Sequence, residues 1–139
     1  GVVFVLAGSG PLEDEIRAAQ SANLHYVGRL TRQDTSALFQ NADVMCLPTR
    51  SEGFSTTLLE AAACGCPAVV TDVGGVQELI PDETYGTVIG SLESRSIIEA
   101  VVGLADDATL RHIQSLRFSK KVRERCGWAS TAALVEKSF

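Results

Sequence analysis

The side chains best suited to chemistry fall in one stretch, Ser51-Glu52-Gly53-Phe54-Ser55-Thr56-Thr57-Leu58-Leu59-Glu60-Ala61-Ala62-Ala63. Ser55 is a helix N-cap by type, so the backbone N–H groups of Thr56, Thr57 and Leu58 would stand at a helix amino terminus without intrahelical acceptors. Partial positive charge and free donors at such a terminus favour a phosphate. Glu60 falls on the same helix face as Thr56, four residues earlier, and Glu52 projects from the loop on the other side. Ionised carboxylates only accept hydrogen bonds, so a pair of them beside an anion site suits hydroxyls, such as a ribose diol or a sugar, rather than more phosphate. The bland alternative has Glu60 paired with a neighbouring arginine and Glu52 solvated. A lone glutamate pair would favour it; the Gly-Phe-Ser loop and the strand before it favour the ligand site.

These residues must be held by the elements around them, and strand-like and helix-like patterns alternate along the chain. Val2 to Ala7 is a continuous apolar, β-branched run, which predicts a strand covered on both faces. Gly8-Ser9-Gly10-Pro11 breaks it, Pro11 suits the first turn of a helix, and Leu12, Ile16 and Ala19 follow at helical spacing behind Glu13, Asp14 and Glu15. A strand over 24–27 ends at Gly28. Next come a helix over 31–41 with Leu38 and Phe39 as core candidates, a strand over 43–47 closed by Pro48, and a helix over 56–64 stopped by Gly65. Pro67 to Thr71 is another β-branched strand, Gly74-Gly75 opens a short helix to Ile80, and Tyr85 to Ile89 is a strand. Helices are expected over 94–105 and 109–125, and from Trp128 or Ala129 to the end. Five strands separated by helices predict an α/β, Rossmann-like parallel sheet with helices on both faces. In such a sheet ligands lie beyond the carboxyl ends of the strands, at the loops Gly8 to Gly10, Gly28 to Leu30, Thr49 to Ser55 and Asp72 to Gly75.

Composition and missing motifs narrow the chemistry. The chain has 139 residues, 45% hydrophobic and 21% charged, the make-up of one folded domain. No apolar run approaches the roughly 20 residues of a membrane span. Glu13 stands where a dinucleotide fingerprint needs its third glycine, which disfavours a hydride-transferring enzyme, and neither G-K-[ST] nor G-x-S-x-G occurs. Cys46, Cys64, Cys66 and Cys126 lack the spacings of a disulfide framework or zinc finger, so reduced thiols are expected, with Cys64 and Cys66 as buried structural ones. His25 and His112 lie on different elements and are expected to be satisfied structural side chains. No carboxylate motif is placed to hold a divalent ion against phosphates.

Residues 1–107 hold 15 acidic and 5 basic side chains, and residues 108–139 hold 2 and 7. The acidic main body argues against a nucleic-acid platform. Arg117, Lys120, Lys121, Arg123 and Arg125 form either a solvated helix face or a patch for anionic lipid headgroups. Gly1 opens the chain without an initiator methionine, so a piece of a longer protein, truncated at both ends, is expected.

Glu52 and Glu60, with seven residues between them inside Pro48-Thr49-Arg50-Ser51-Glu52-Gly53-Phe54 and Glu60-Ala61-Ala62-Ala63-Cys64-Gly65-Cys66-Pro67, resemble the E-x7-E signature of retaining glycosyltransferase family 4, which has the GT-B fold. Val5-Leu6-Ala7-Gly8-Ser9-Gly10-Pro11 resembles its G-x-G-P loop and Val27-Gly28-Arg29-Leu30 its hydrophobic-G-x-hydrophobic turn. Asn41-Ala42-Asp43-Val44 and Thr71-Asp72-Val73-Gly74-Gly75-Val76-Gln77-Glu78-Leu79-Ile80 also match. The resemblance implies that residues 1–139 are a nucleotide-sugar-binding domain, the carboxyl-terminal half of a two-domain enzyme whose acceptor-binding half is absent.

By that resemblance Glu60 would hold the ribose hydroxyls and Glu52, the catalytic position, would face the donor sugar. Gly53, Phe54 and Ser55 would present amides to the sugar, and Thr56, Thr57 and Leu58 would meet the diphosphate. Gly28, Arg29 and Leu30 would bracket the base, near the Gly8 and Gly10 loop. The transfer would be metal-independent and need no cofactor. Synthesis of bacterial surface polysaccharide or glycolipid is the family-level expectation; the reduced thiols point to a cytoplasmic setting, and the basic stretch from Arg117 to Arg125 is compatible with peripheral contact to anionic membrane. The chain starts beyond the arginine and lysine with which family members usually bind the diphosphate, and Ser55 replaces the commoner glycine. This portion is therefore expected to bind nucleotide weakly and not to turn over. The alternatives are a non-catalytic regulatory or assembly module, with Val135 and Phe139 on an exposed helix face, and a relative of GT-B epimerases.

Overall fold

The computed structural model describes residues 1–126. In them the chain alternates β1 (Phe4–Ala7), α1 (Glu13–Ala18), β2 (Leu24–Gly28), α2 (Arg32–Asn41), β3 (Met45–Leu47), α3 (Thr56–Ala63), β4 (Ala68–Thr71), α4 (Val76–Leu79), β5 (Thr87–Ile89), α5 (Ser94–Asp106) and α6 (Ala108–Arg125). Each expected strand and helix up to Arg125 is present, with ends moved by a few residues. Pro11 lies just outside α1, whose N-cap position is Leu12. The expected terminal helix, with Val135 and Phe139, lies outside the described residues.

All strand ladders are parallel. They form two sheets rather than the single one expected: β1 with β2, and β3-β4-β5 in that order. Apolar pattern and turn residues locate a strand but do not say which edge it meets, so one long sheet and two short ones read alike in sequence. The chain divides into two compact units, Gly1–Leu38 and the residues from Phe39 onward.

The second unit carries the core, and period-two alternation along β4 divides it between two faces. Ala68 and Val70 pack with Leu58, Ala61, Phe118 and Val122, from α3 and α6. Val69 turns the other way, to Ile89, Val101 and Leu104, so α5 covers the opposite face. This is the helix-on-both-faces layering expected of a parallel sheet.

α6 is fixed by its polar side chains as well as its apolar ones. Gln114 is wholly buried and donates to the Glu83 carbonyl at 2.8 Å and Thr87 Oγ1 at 3.2 Å. The Arg117 guanidinium and the Lys121 ammonium lie 4.6 Å and 4.9 Å from the Tyr85 ring centroid. Lys121 also donates to the Glu78 carbonyl at 2.6 Å, and burial, followed by the neighbouring Arg125 charge, pushes its pKa down. Arg123 donates to the Ala63 carbonyl at 3.0 Å. Three of the five clustered cations therefore also reach partners on the body, while Arg117, Lys120, Arg123 and Arg125 stay exposed, as a solvated helix face requires.

The first unit is built differently. No residue from Gly1 to Leu38 is buried. Phe4, Val5 and Leu6 are 37%, 41% and 40% exposed, contrary to the expectation of a strand covered on both faces. Among the described residues β1 has one ladder partner, β2, and neither cluster of buried apolar side chains includes a residue of this unit, so no core covers its faces. Polar contacts carry much of the local order. Tyr26 Oη donates to the Gly8 carbonyl at 2.7 Å, and the Arg17 guanidinium lies over the Tyr26 ring and pairs with Glu13 at 2.6 Å.

Candidate functional site

The amino terminus of α3 is the feature that the sequence singles out, and its capping is built as expected. Ser55 has φ −74° and ψ 108°, and its Oγ accepts from the Leu58 N–H at 3.3 Å. Leu58, Ala61 and Ala62 are buried at the helical i, i+3, i+4 spacing, which leaves Thr56, Thr57 and Glu60 on the exposed face. One assignment needs correction. The Leu58 amide is taken by the Ser55 cap and its side chain is fully buried, so Leu58 is not a free donor for an anion. Thr56 and Thr57 remain, and their amides make no hydrogen bond among the described residues. The same holds for the amides of Gly53, Phe54 and Ser55.

The other end of α3 is closed. Gly65 has φ +79°, and its N–H reaches the Ala62 carbonyl at 2.9 Å while that of Cys66 reaches the Ala61 carbonyl at 2.9 Å. This is a Schellman arrangement, which glycine accommodates because it lacks a Cβ. With Arg123 on the Ala63 carbonyl as well, the carboxyl-terminal partial charge is compensated.

Glu52 is half-buried in a loop pinned on both sides. Thr71 Oγ1, at the end of β4, donates to the Thr49 carbonyl at 2.5 Å, and Thr49 Oγ1 donates to the Ser51 carbonyl at 3.1 Å. Beyond Glu52, the Gly75 N–H donates to the Gly53 carbonyl at 3.1 Å. The carboxyl ends of β3, β4 and β5 open on a cavity of about 160 Å³ lined by Thr49, Arg50, Asp72 and Ser91 among others. The sequence reading pointed to the loops at Thr49 and Asp72 but missed the one after β5, Gly90 to Leu92, which also lines the cavity. Gly74 and Gly75 fall in the Asp72 to Gly75 loop that the sequence reading named, although it gave neither glycine a role of its own.

Gly8, Gly10, Gly28, Arg29 and Leu30 belong to the first unit, whereas Glu52 to Glu60 belong to the second. Within the first unit the two post-strand loops join, since the Gly8 N–H donates to the Gly28 carbonyl at 2.8 Å. The Gly10 carbonyl accepts from the Glu13 N–H at 3.1 Å at the start of α1. Arg29 is exposed and Leu30 half-buried.

The remaining polar candidates resolve simply. The four cysteines are free thiols. Cys66 is buried, and burial pushes its thiol up to about 12; Cys64 is half-buried and Cys126 exposed. His25 and His112 are exposed rather than packed. Asp107 caps α6, its Oδ1 accepting from the Leu110 N–H at 2.8 Å. No helix among the described residues is long and apolar enough to cross a membrane.

The fold is shared with solved glycosyltransferases. Sucrose-phosphate synthase from Thermosynechococcus elongatus matches 96% of this chain with a TM-score of 0.83 at 21% identity, over 36% of its own length. HepE from Anabaena, solved in complex with UDP, matches 99% with a TM-score of 0.84 at 18% identity, over 40% of its length. Among curated proteins, the D-inositol 3-phosphate glycosyltransferase of Paenarthrobacter aurescens is 34% identical over 106 residues, 76% of this chain. This chain spans about a quarter of the length of that relative. Residues 1–107 match the family model described as glycosyl transferases group 1, and the match includes both glutamates and the loops around them. The chain belongs to the glycosyl transferases group 1 family.

Proposed function

We propose that this chain is the donor-binding, carboxyl-terminal portion of a retaining, metal-independent glycosyltransferase of family 4, which moves a sugar from a nucleotide-sugar to an acceptor. The observation that carries the reading is the amino terminus of α3, where the amides of Thr56 and Thr57 are unused and Glu60 shares their exposed face. Fixed backbone donors at a helix terminus would bind the diphosphate and stabilise the charge that grows on it as the sugar leaves, with no reorganisation at that moment. Glu60 accepts from the ribose hydroxyls. Glu52 accepts from the hydroxyls of the sugar, while the amides of Gly53, Phe54 and Ser55 donate to its oxygens.

The roles of the first unit, with Gly28, Arg29 and Leu30 at the base and Gly8 and Gly10 beside them, rest on the sequence resemblance, and a guanidinium such as that of Arg29 can stack on a base. The complex of HepE with UDP-glucose supports a nucleotide-sugar as the ligand class. The acceptor belongs to the rest of the longer protein, and cytoplasmic polysaccharide or glycolipid synthesis is the setting this reading gives it.

Binding of UDP, GDP, ADP and CMP to the chain and to Glu60→Ala, followed by saturation transfer, tests the reading. At least one nucleoside diphosphate should bind, and Glu60→Ala should weaken it roughly ten- to a hundredfold, the scale of hydrogen bonds to a charged group. Equal binding by the variant would remove Glu60 from the site. The chain alone, given nucleotide-sugar and acceptor, should release no nucleotide; transfer by it would overturn the assignment as a donor-binding portion.

A further inference from the structure

The loop that carries Glu52 approaches the loop after β4 so closely that only a residue without a side chain fits between them. Gly74 has φ +55°, and a Cβ on it would stand 2.2 Å from the Glu52 carbonyl oxygen and 2.4 Å from that of Gly53. Both obstacles are backbone atoms, so neither can swing away as a side chain would. Gly75, the next residue, donates its N–H to the Gly53 carbonyl, and a Cβ there would stand 3.0 Å from Phe54 Cδ2. Two successive glycines therefore face three successive residues of the carboxylate loop, about twenty positions earlier in the chain.

We propose that Gly74 is a positioning residue. By admitting the Glu52–Gly53 backbone to contact, it sets where the Glu52 carboxylate and the amides of Gly53 to Ser55 stand, and so governs recognition of the sugar. The inference rests on the nucleotide-sugar reading above. A side chain at position 74 must be relieved by movement, and the two partners are unequal. Gly74 stands in the short turn between the buried strand β4, which ends at Thr71, and the buried Val76 that opens α4, whereas Glu52 and Gly53 stand in the longer connection from Leu47 to Thr56. The carboxylate loop is the part that yields. Thr56 and Thr57 are held by α3, anchored by the buried Leu58, Ala61 and Ala62, and keep their place. Displacement by about an ångström is enough to spoil a positioned contact. The sugar contacts change while the phosphate contacts do not.

The test compares the parent chain, Gly74→Ala, Gly75→Ala and Gly103→Ala, the last having no neighbour within 4 Å of its added Cβ. Each is titrated with UDP and with UDP-glucose and followed by amide shifts. Gly74→Ala should shift the amides of Glu52 to Ser55 in the free chain, keep UDP affinity within about twofold, and weaken UDP-glucose by roughly fivefold or more, as a misplaced contact requires. Gly75→Ala meets a movable aromatic ring and should give a smaller loss of the same kind; Gly103→Ala should give none. Parent-like loop shifts and affinities in Gly74→Ala would overturn the inference, as would an equal loss of UDP and UDP-glucose. If Gly74→Ala does not fold, unchanged sugar discrimination in Gly75→Ala overturns it instead. A parent that binds none of UDP, GDP, ADP and CMP refutes the nucleotide-sugar reading itself, a failure separate from a variant that behaves like a binding parent; a parent that binds one other than UDP is tested with that nucleotide and its sugar conjugate instead.

Discussion

Val2 to Ala7 and Pro67 to Thr71 are alike as sequence, two apolar runs rich in β-branched residues, yet they end in opposite surroundings. In β4, Ala68, Val69, Val70 and Thr71 are 0%, 0%, 2% and 4% exposed, whereas in β1, Phe4, Val5 and Leu6 are near 40%. β4 has a strand on each side and helices against both faces; among the described residues β1 has one neighbouring strand. An apolar strand states a demand for cover, and the demand is met only where both edges are paired and both faces layered. Burying a Val or Leu side chain contributes about 1.5 to 3 kcal/mol, so the core of the second unit is the part that can hold a site in place. The helix that begins at Ser55 stands in that unit.

The contrast can be broken most directly by truncating one side chain in each unit. Leu58→Ala, at a wholly buried position, should destabilise the second unit by about 2 to 5 kcal/mol in urea unfolding. Leu6→Ala, at a site 40% exposed, should cost less than about 1 kcal/mol, in line with surface substitutions. Equal costs would mean that the two strands are covered alike.

A smaller effect sharpens the account of α6. Arg123→Ala removes the donor to the Ala63 carbonyl and a cation at the carboxyl end of α3, and should cost about 1 kcal/mol by the same measurement. Arg125→Ala, in the last turn of α6 and exposed, should cost less; the reverse order would undo the claim that Arg123 ties the two helices together.

The least perturbing probe is the set of thiols, which all lie in the second unit. With iodoacetamide at pH 8, Cys126 should be alkylated first and Cys66 last, as read by mass spectrometry, because Cys66 is buried and its thiol is held up at about 12. The folded state binds that proton more tightly than the unfolded chain does. Stability from this source is therefore whole below the ordinary value of 9.0 and is lost as pH rises through about 12. Early modification of Cys66 in the folded chain would show that the core opens there.

What the sequence could tell followed from how local each property is. Ser55 as a cap, Gly65 as a stop and the face shared by Thr56 and Glu60 depend on residues within a turn of one another, and all were legible. The capture of the Leu58 amide by the Ser55 hydroxyl is equally local, since an N-cap oxygen binds the amide two or three residues on. It shows that a cap and an anion site compete for the same donors. The division into two sheets was not legible, because pairing is decided by distant edges. Nor was the exposure of β1, which depends on what lies against it. The approach of Gly74 to Glu52 joins residues 22 positions apart, and the sequence placed the two in separate post-strand loops without showing that they touch.

The central claim is that the amides at the start of α3 receive the diphosphate of a nucleotide ligand. It is tested most directly by titrating UDP and GDP into isotopically labelled chain and reading the amides one by one. The account predicts saturating shifts at Thr56 and Thr57, with the capped Leu58 amide moving less, and their loss in Glu60→Ala. Saturable binding whose shifts fall elsewhere and spare Thr56 and Thr57 would contradict it.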